Sequence, residues 1–140
     1  MEHPYVYIGC FLSASELYAA IDHIRSIRLS KTIEFPHVTF VYRPQAVDES
    51  LFGEKIKLRI VGYGNDGINE GLKVELASTN ETINEMAAQI AVPHITLSVS
   101  EDGESVNTRY LQYAPIVPIE LTGVWGGYTD SREVVTHVNE

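Results

Sequence analysis

The sequence predicts an α+β domain built from two similar halves, and three observations predict it. A seven-residue pattern occurs twice, as Phe35-Pro36-His37-Val38-Thr39-Phe40-Val41 and as Val92-Pro93-His94-Ile95-Thr96-Leu97-Ser98. Each copy follows a strand-like run and then a helix-like run. Elsewhere apolar residues alternate with polar ones at the period of two that marks a half-buried strand.

In the first half, Tyr5-Val6-Tyr7-Ile8-Gly9-Cys10-Phe11-Leu12 reads as a buried strand. Ser13 and Glu16 form a capping box, with Ser13 as N-cap. Leu17, Ile21, Ile24 and Ile27 then make a helical stripe. In the second half, Leu72, Val74 and Leu76 alternate with Lys73 and Glu75. A helix is expected from about Thr79 to Ala91, with Ile83, Met86, Ala87 and Ile90 inward. Ile56, Leu58 and Ile60 alternate with Lys55, Lys57 and Arg59 in a further strand. A last long strand is expected within Val117–Tyr128, after Pro115 and Pro118, and a short one near Glu133–His137. Pro44, Asn65-Asp66-Gly67 and Glu101-Asp102-Gly103 are turn chemistry.

Composition narrows the function. The chain has 140 residues, 44 % of them hydrophobic and 21 % charged, which suits one globular domain spanning residues 1–140. No apolar run approaches the roughly 18 residues of a membrane span, and Met1-Glu2-His3-Pro4 lacks the basic start of a secretory signal. The single cysteine, Cys10, lies in an apolar run and reads as core; it allows no internal disulfide and suits a reducing cytosol. The net charge is −9. Residues 1–59 hold seven acidic and seven basic groups, whereas residues 60–140 hold twelve acidic and three basic. Long nucleic acids require many neutralised phosphates, so a small phosphorylated ligand fits this balance better.

The strand period places the chemistry. His37 and Thr39 share one face, with Val38, Phe40 and Tyr42 on the other. His94, Thr96, Ser98 and Ser100 share one face, with Ile95, Leu97 and Val99 on the other. Five histidines and nine threonines give about 0.3 chance His-x-Thr matches. Two matches with the same proline and the same apolar flanks, at equivalent points of a repeated unit, exceed that. An imidazole serves as base or acid near pH 7, and a hydroxyl can donate to a phosphoryl oxygen. The set His37, Thr39, His94 and Thr96 is therefore the candidate catalytic group. His3, His23 and His137 show no partner pattern and read as surface residues. No Cys pair, His-Glu-x-x-His or carboxylate beside either motif suggests a metal site, so no cofactor is expected. Lys55, Lys57 and Arg59 read as a solvated basic stripe.

Paired His-x-Thr motifs on the strands of a bilobal α+β fold resemble the 2H phosphoesterase superfamily. The resemblance runs from Tyr5 to about Tyr128, and the two tripeptides are its specific part. It implies two pseudo-twofold-related lobes with outer helices, one motif strand per lobe facing a central cleft. It implies that His37 and His94 act as acid and base, that Thr39 and Thr96 bind phosphate, and that no metal is needed. The spacing, short length and terminal aromatics are most similar to the phage branch that destroys the cyclic oligonucleotide messengers of bacterial CBASS immunity. That branch implies a small cyclic nucleotide substrate, the host cytoplasm as location, and Tyr5, Glu120 and Trp125 as contacts to base or ribose. Tyr7 is expected to share the Tyr5 face and stack on a base. By strict alternation Glu120 and Trp125 face opposite ways, and both can line a cleft only if a bulge at Gly123 intervenes. Two alternatives stay open: an RNA-processing enzyme that opens 2′,3′-cyclic phosphates or acts on 2′–5′ links, and a non-catalytic nucleotide-binding module.

Overall fold

A computed structural model describes residues 4–24 and 28–136. His3, Ile27 and His137 lie outside the described residues. The elements are β1 (Tyr5–Phe11), α1 (Ala14–Ala20), β2 (Lys31–Thr32), β3 (His37–Tyr42), β4 (Lys55–Asn65), β5 (Asn69–Ser78), α2 (Glu81–Ala88), β6 (His94–Val99), β7 (Ala114–Thr129) and β8 (Val134–Val135). Two 3₁₀ turns cover Glu49–Leu51 and Ser105–Tyr110.

The fold is α+β, dominated by one eight-stranded antiparallel sheet in the order β2-β6-β5-β4-β7-β1-β3, with β8 on β7. From the β4–β7 seam outward the order repeats. Each side runs through a seam strand, a strand that leads into a helix, and a motif strand. The sheet bends until β3 and β6, far apart in strand order, lie against each other.

Local chemistry sets the elements. Ser13 Oγ accepts from the Glu16 N–H at 3.4 Å and starts α1, which buries Leu17, with Ile21 buried at its C-cap. Asn80 Oδ1 accepts from the Ile83 N–H at 3.1 Å and starts α2, so this helix begins later than Thr79. It stops at Ala88, where the Gln89 and Ile90 N–H groups bind the Met86 and Ala87 carbonyls in a tighter last turn. Asn65 and Asp66 accept from Gly67, Ile68 and Asn69 N–H groups and close the β4–β5 hairpin.

Strand β7 begins before both prolines, earlier than the sequence suggests. Ile60 pairs with Ile119 and Gly62 with Pro115, so Pro118 falls where the ladder is interrupted and its missing N–H breaks nothing. The core packs on one sheet face: Cys10, Val38, Ile56, Leu58, Ile60, Leu72, Val74, Ile95, Leu97 and Trp125, with Leu17 of α1, Ile21 at its C-cap and Ile83 of α2 over it. Burial pushes the Cys10 thiol up to about 12, so it stays protonated and packs as core. His23 is exposed. Among the described residues no helix is long and apolar enough to cross a membrane.

Candidate active site

Each histidine is set by the same local device. Proline before it fixes the backbone, and the proline carbonyl binds a neighbouring N–H: Leu12 N to Pro36 O, and Val74 N to Pro93 O, both 3.0 Å. The ring then turns back on its own strand. His37 Nδ1 lies 2.8 Å from Phe35 O, and His94 Nδ1 lies 2.8 Å from Val92 O. A carbonyl oxygen only accepts, so in each neutral ring Nδ1 carries the proton and Nε2 is bare.

The repeat goes deeper than the tripeptide. Thr39 pairs with Gly9 and Thr96 with Gly71. A Cβ on Gly9 would collide with the Val38 carbonyl oxygen, and one on Gly71 would collide with the Thr108 methyl and come within 2.9 Å of the Ile95 carbonyl oxygen. Both glycines thus admit the middle residue of a motif. Beyond each threonine the strand bulges at one residue, Phe40 in β3 and Leu97 in β6, three residues past the histidine in both cases.

These bulges correct the face assignments in both strands. Past Phe40, Tyr42 pairs with Tyr7 and joins the histidine face. Past Leu97, Ser98 leaves the Thr96 face and donates to the buried Glu70 at 2.7 Å, while Val99 takes the histidine side opposite Asn69. Glu70 also accepts from Tyr63 and from Arg28 at 2.7 Å, and the Leu29 N–H binds Ser98, which fastens the chain before β2 to β5 and β6.

Register places both motifs on one sheet face. His37 pairs with Phe11, Phe11 with Val124, and Val124 with Lys55. From there Lys55, Lys57 and Arg59 follow along β4, Arg59 pairs with Glu75, and Lys73 pairs with His94. The two imidazoles are close enough that His94 influences the protonation of His37.

The surroundings of the two rings differ. Tyr7 on β1 stacks on His37 at 4.5 Å and on Tyr128 of β7 at 5.0 Å, with Phe11 5.6 Å from His37. Burial holds His37 below the ordinary imidazole value, the Phe35 carbonyl works in the opposite direction, and His94 lowers it further. Burial also lowers His94, the Val92 carbonyl opposes this, and the Arg109 charge adds to the lowering. Both rings are therefore neutral near pH 7. Thr39 is half-buried, whereas Thr96 is buried and donates to Thr108 Oγ1 at 2.8 Å under the Ser105–Tyr110 turn.

The remaining expected contacts divide. Tyr7 lies on the histidine face, but rings on both sides already occupy it. Tyr5 does not share that face, because an irregularity between Tyr5 and Tyr7 turns it over; it is buried, packs edge-on to Phe52 and donates to Glu49. Trp125 is 1 % exposed and packs edge-on to Phe40 in the core, so it is closed to a base. Glu120 is exposed on the histidine face and pairs with Arg59. No bulge occurs at Gly123, so Glu120 and Trp125 do face opposite ways. Lys55, Lys57 and Thr122 line a depression of about 560 Å³ on the histidine face, and neither histidine is among its lining residues. Among the described residues no three His, Cys, Asp or Glu side chains cluster to hold a metal ion.

Sequence reasoning missed Tyr128, Thr108 and Arg109. The signal for Tyr128 is the Gly126-Gly127 pair before it; for Thr108 and Arg109 there is none, since their turn has no periodic pattern. No protein-family model matches the chain, and no curated protein matches it.

Proposed function

We propose that this chain is a metal-independent phosphodiesterase of the 2H type that cleaves 3′–5′ bonds in cyclic di- or trinucleotide messengers. The matched presentation of the two imidazoles carries the proposal: two bare Nε2 atoms, each set by the same carbonyl bond, on one sheet face where β3 lies against β6. The outward repeat of strand order supports two lobes related by a pseudo-twofold axis, with the motif strands across a cleft.

One Nε2 takes the proton from a ribose 2′-hydroxyl or a water. That oxygen bonds to phosphorus, the bond to the 5′-oxygen breaks, and the other imidazole delivers a proton to the leaving oxygen. Both rings are neutral before substrate arrives. The phosphodiester anion brings a negative charge between them, which favours protonation of one and so supplies the acid. Thr39 is placed to donate to a non-bridging oxygen. Thr96 can do so only by releasing Thr108. With 2′-hydroxyl attack the first product is a 2′,3′-cyclic phosphate with a free 5′-hydroxyl. The overall acidity favours a small substrate over a long one, and a phage protein of this kind acts in the host cytoplasm.

The test is incubation with a panel of cyclic di- and trinucleotides in EDTA, with products identified by mass. Linearised products are expected. No turnover of any member, or turnover that EDTA abolishes, rejects the mechanism.

A further inference from the structure

Residues 60–140 contain twelve acidic groups and only three basic ones, Lys73, Arg109 and Arg132. Two of those three gather at His94. Lys73 is the register partner of His94 across β5–β6, so its side chain rises on the same face. On the other side of Lys73 the partner is Gly62, which offers no counter-charge. Glu75 and Glu120, the carboxylates of this face, both lie opposite Arg59 in the register.

Arg109 reaches His94 from the 3₁₀ turn. That turn is docked by Thr108, whose hydroxyl accepts from Thr96 at 2.8 Å and from Asn69 Nδ2 at 3.0 Å, and whose carbonyl accepts from Tyr113 at 2.7 Å. Asn69 Nδ2 also donates to the Glu104 carbonyl at 2.7 Å. The guanidinium lies 4.8 Å over the Tyr110 ring, and its charge is felt at the His94 imidazole. Neither Lys73 nor Arg109 forms an ion pair among the described residues. Two cations without an ion-pair partner, on an otherwise acidic half and on the face of a buried imidazole, present donors suited to an anion.

We propose that Lys73 and Arg109 form an anion-binding arm beside His94 that takes a phosphate group of the nucleotide substrate. The arm rests on the phosphodiesterase reading for which phosphate it takes, but its binding of a phosphate does not depend on turnover.

Calorimetric titration with adenosine 3′-monophosphate and with adenosine tests the arm. The phosphate-bearing probe is expected to bind at least about tenfold more tightly than the nucleoside, and Arg109→Gln and Lys73→Gln each to remove most of that margin. Arg109→Lys, which keeps the charge and loses the fork, is expected to retain part of it. Arg59→Gln removes a cation of the same face that already has two facing carboxylates, and is expected to change binding less than about twofold. The proposal is overturned if the wild type does not prefer the phosphate, if the margin survives both Gln variants, or if Arg59→Gln weakens binding as much as Arg109→Gln. Turnover of the cyclic panel reads the reaction separately. Binding lost in the Gln variants without turnover in the wild type keeps the arm and removes the phosphodiesterase.

Discussion

The strand that carries His37 and the strand that carries His94 share their backbone and differ in everything around it. Proline, carbonyl-bound imidazole, glycine opposite the threonine and a bulge three residues past the histidine recur in both. Around His37 the neighbours are rings: Tyr7, Phe11 and Tyr128. Around His94 they are cations and a hydrogen-bonded turn: Lys73, Arg109 and Thr108. The shared part delivers two imidazoles of one tautomer to one face. The unshared part gives two chemically equal rings unequal surroundings.

The largest expected effect erases the comparison. His37→Ala and His94→Ala should each lower kcat by about 10²–10⁴-fold, the usual worth of one positioned proton-transfer group. The double variant should fall little further than the worse single one, because the two act as a unit. Circular dichroism should show both folded. A variant that keeps wild-type turnover returns that histidine to a packing role.

Next comes the shared backbone. Gly9→Ala drives a Cβ into the Val38 carbonyl oxygen, a backbone atom that cannot rotate away. Gly71→Ala meets first the Thr108 methyl, which can shift with its turn. Overpacking of this kind costs about 1–3 kcal/mol, and Gly9→Ala should lie at the upper end. Urea midpoints check the order. Equal, negligible losses at both sites would mean that the two motif strands need no close approach.

How much of this the sequence makes legible follows from the same repeat. The tripeptides, the Ser13 cap, the alternation of β4 and β5 and the burial of Cys10 are local patterns, and local patterns survive folding. Bulges are not local in that sense. Nothing in Tyr5-Val6-Tyr7 says that Tyr5 and Tyr7 will part faces, and one looped-out residue reverses every side chain beyond it. So Tyr5 turns inward to Glu49, Tyr42 turns outward and Ser98 turns to Glu70. Gly9 and Gly71, small residues inside apolar strands, were the available sign of close approach. Trp125 lies in the core and not at a cleft, because aromatic chemistry suits a base and a core equally and only packing decides. Arg109 lies in a turn with no period at all, so its place beside His94 exists only in three dimensions.

A smaller effect sharpens the aromatic side. Tyr7→Leu removes the ring stacked on His37, a contact of the kind worth about 0.5–1.5 kcal/mol beyond its area. Its loss should cost roughly three- to tenfold in kcat with little change in KM, since Tyr7 acts through His37. The ring also shields His37 from water. Without it the limb of the pH–rate profile that His37 sets should move up toward the ordinary imidazole value. A fall in kcat with an unmoved profile would make Tyr7 a substrate contact instead.

The smallest effect is on stability against pH, and its sign follows from burial. Both imidazoles are lowered in the folded chain relative to their ordinary 6.5. Above about pH 6.5 they are neutral folded and unfolded, and their burial carries no protonation penalty. As pH falls below that value the unfolded chain takes up protons first, which favours unfolding. Stability should therefore decline with acid until the folded values are passed. Asp66 acts in another window: N–H bonds from Asn69 and Ile68 hold it below the usual carboxylate range, so its contribution is lost only near pH 4 and under. The range from pH 7 to 5 thus isolates the histidines. Urea midpoints measured there should fall with acid in the wild type and fall less in His37→Gln. Adenosine 3′-monophosphate should flatten the slope, because its charge favours the imidazolium in the folded state and raises the value that burial lowered. A slope unchanged by both the substitution and the nucleotide would mean that the rings are already open to water, and the unequal surroundings of His37 and His94 would then have no hold on their protons.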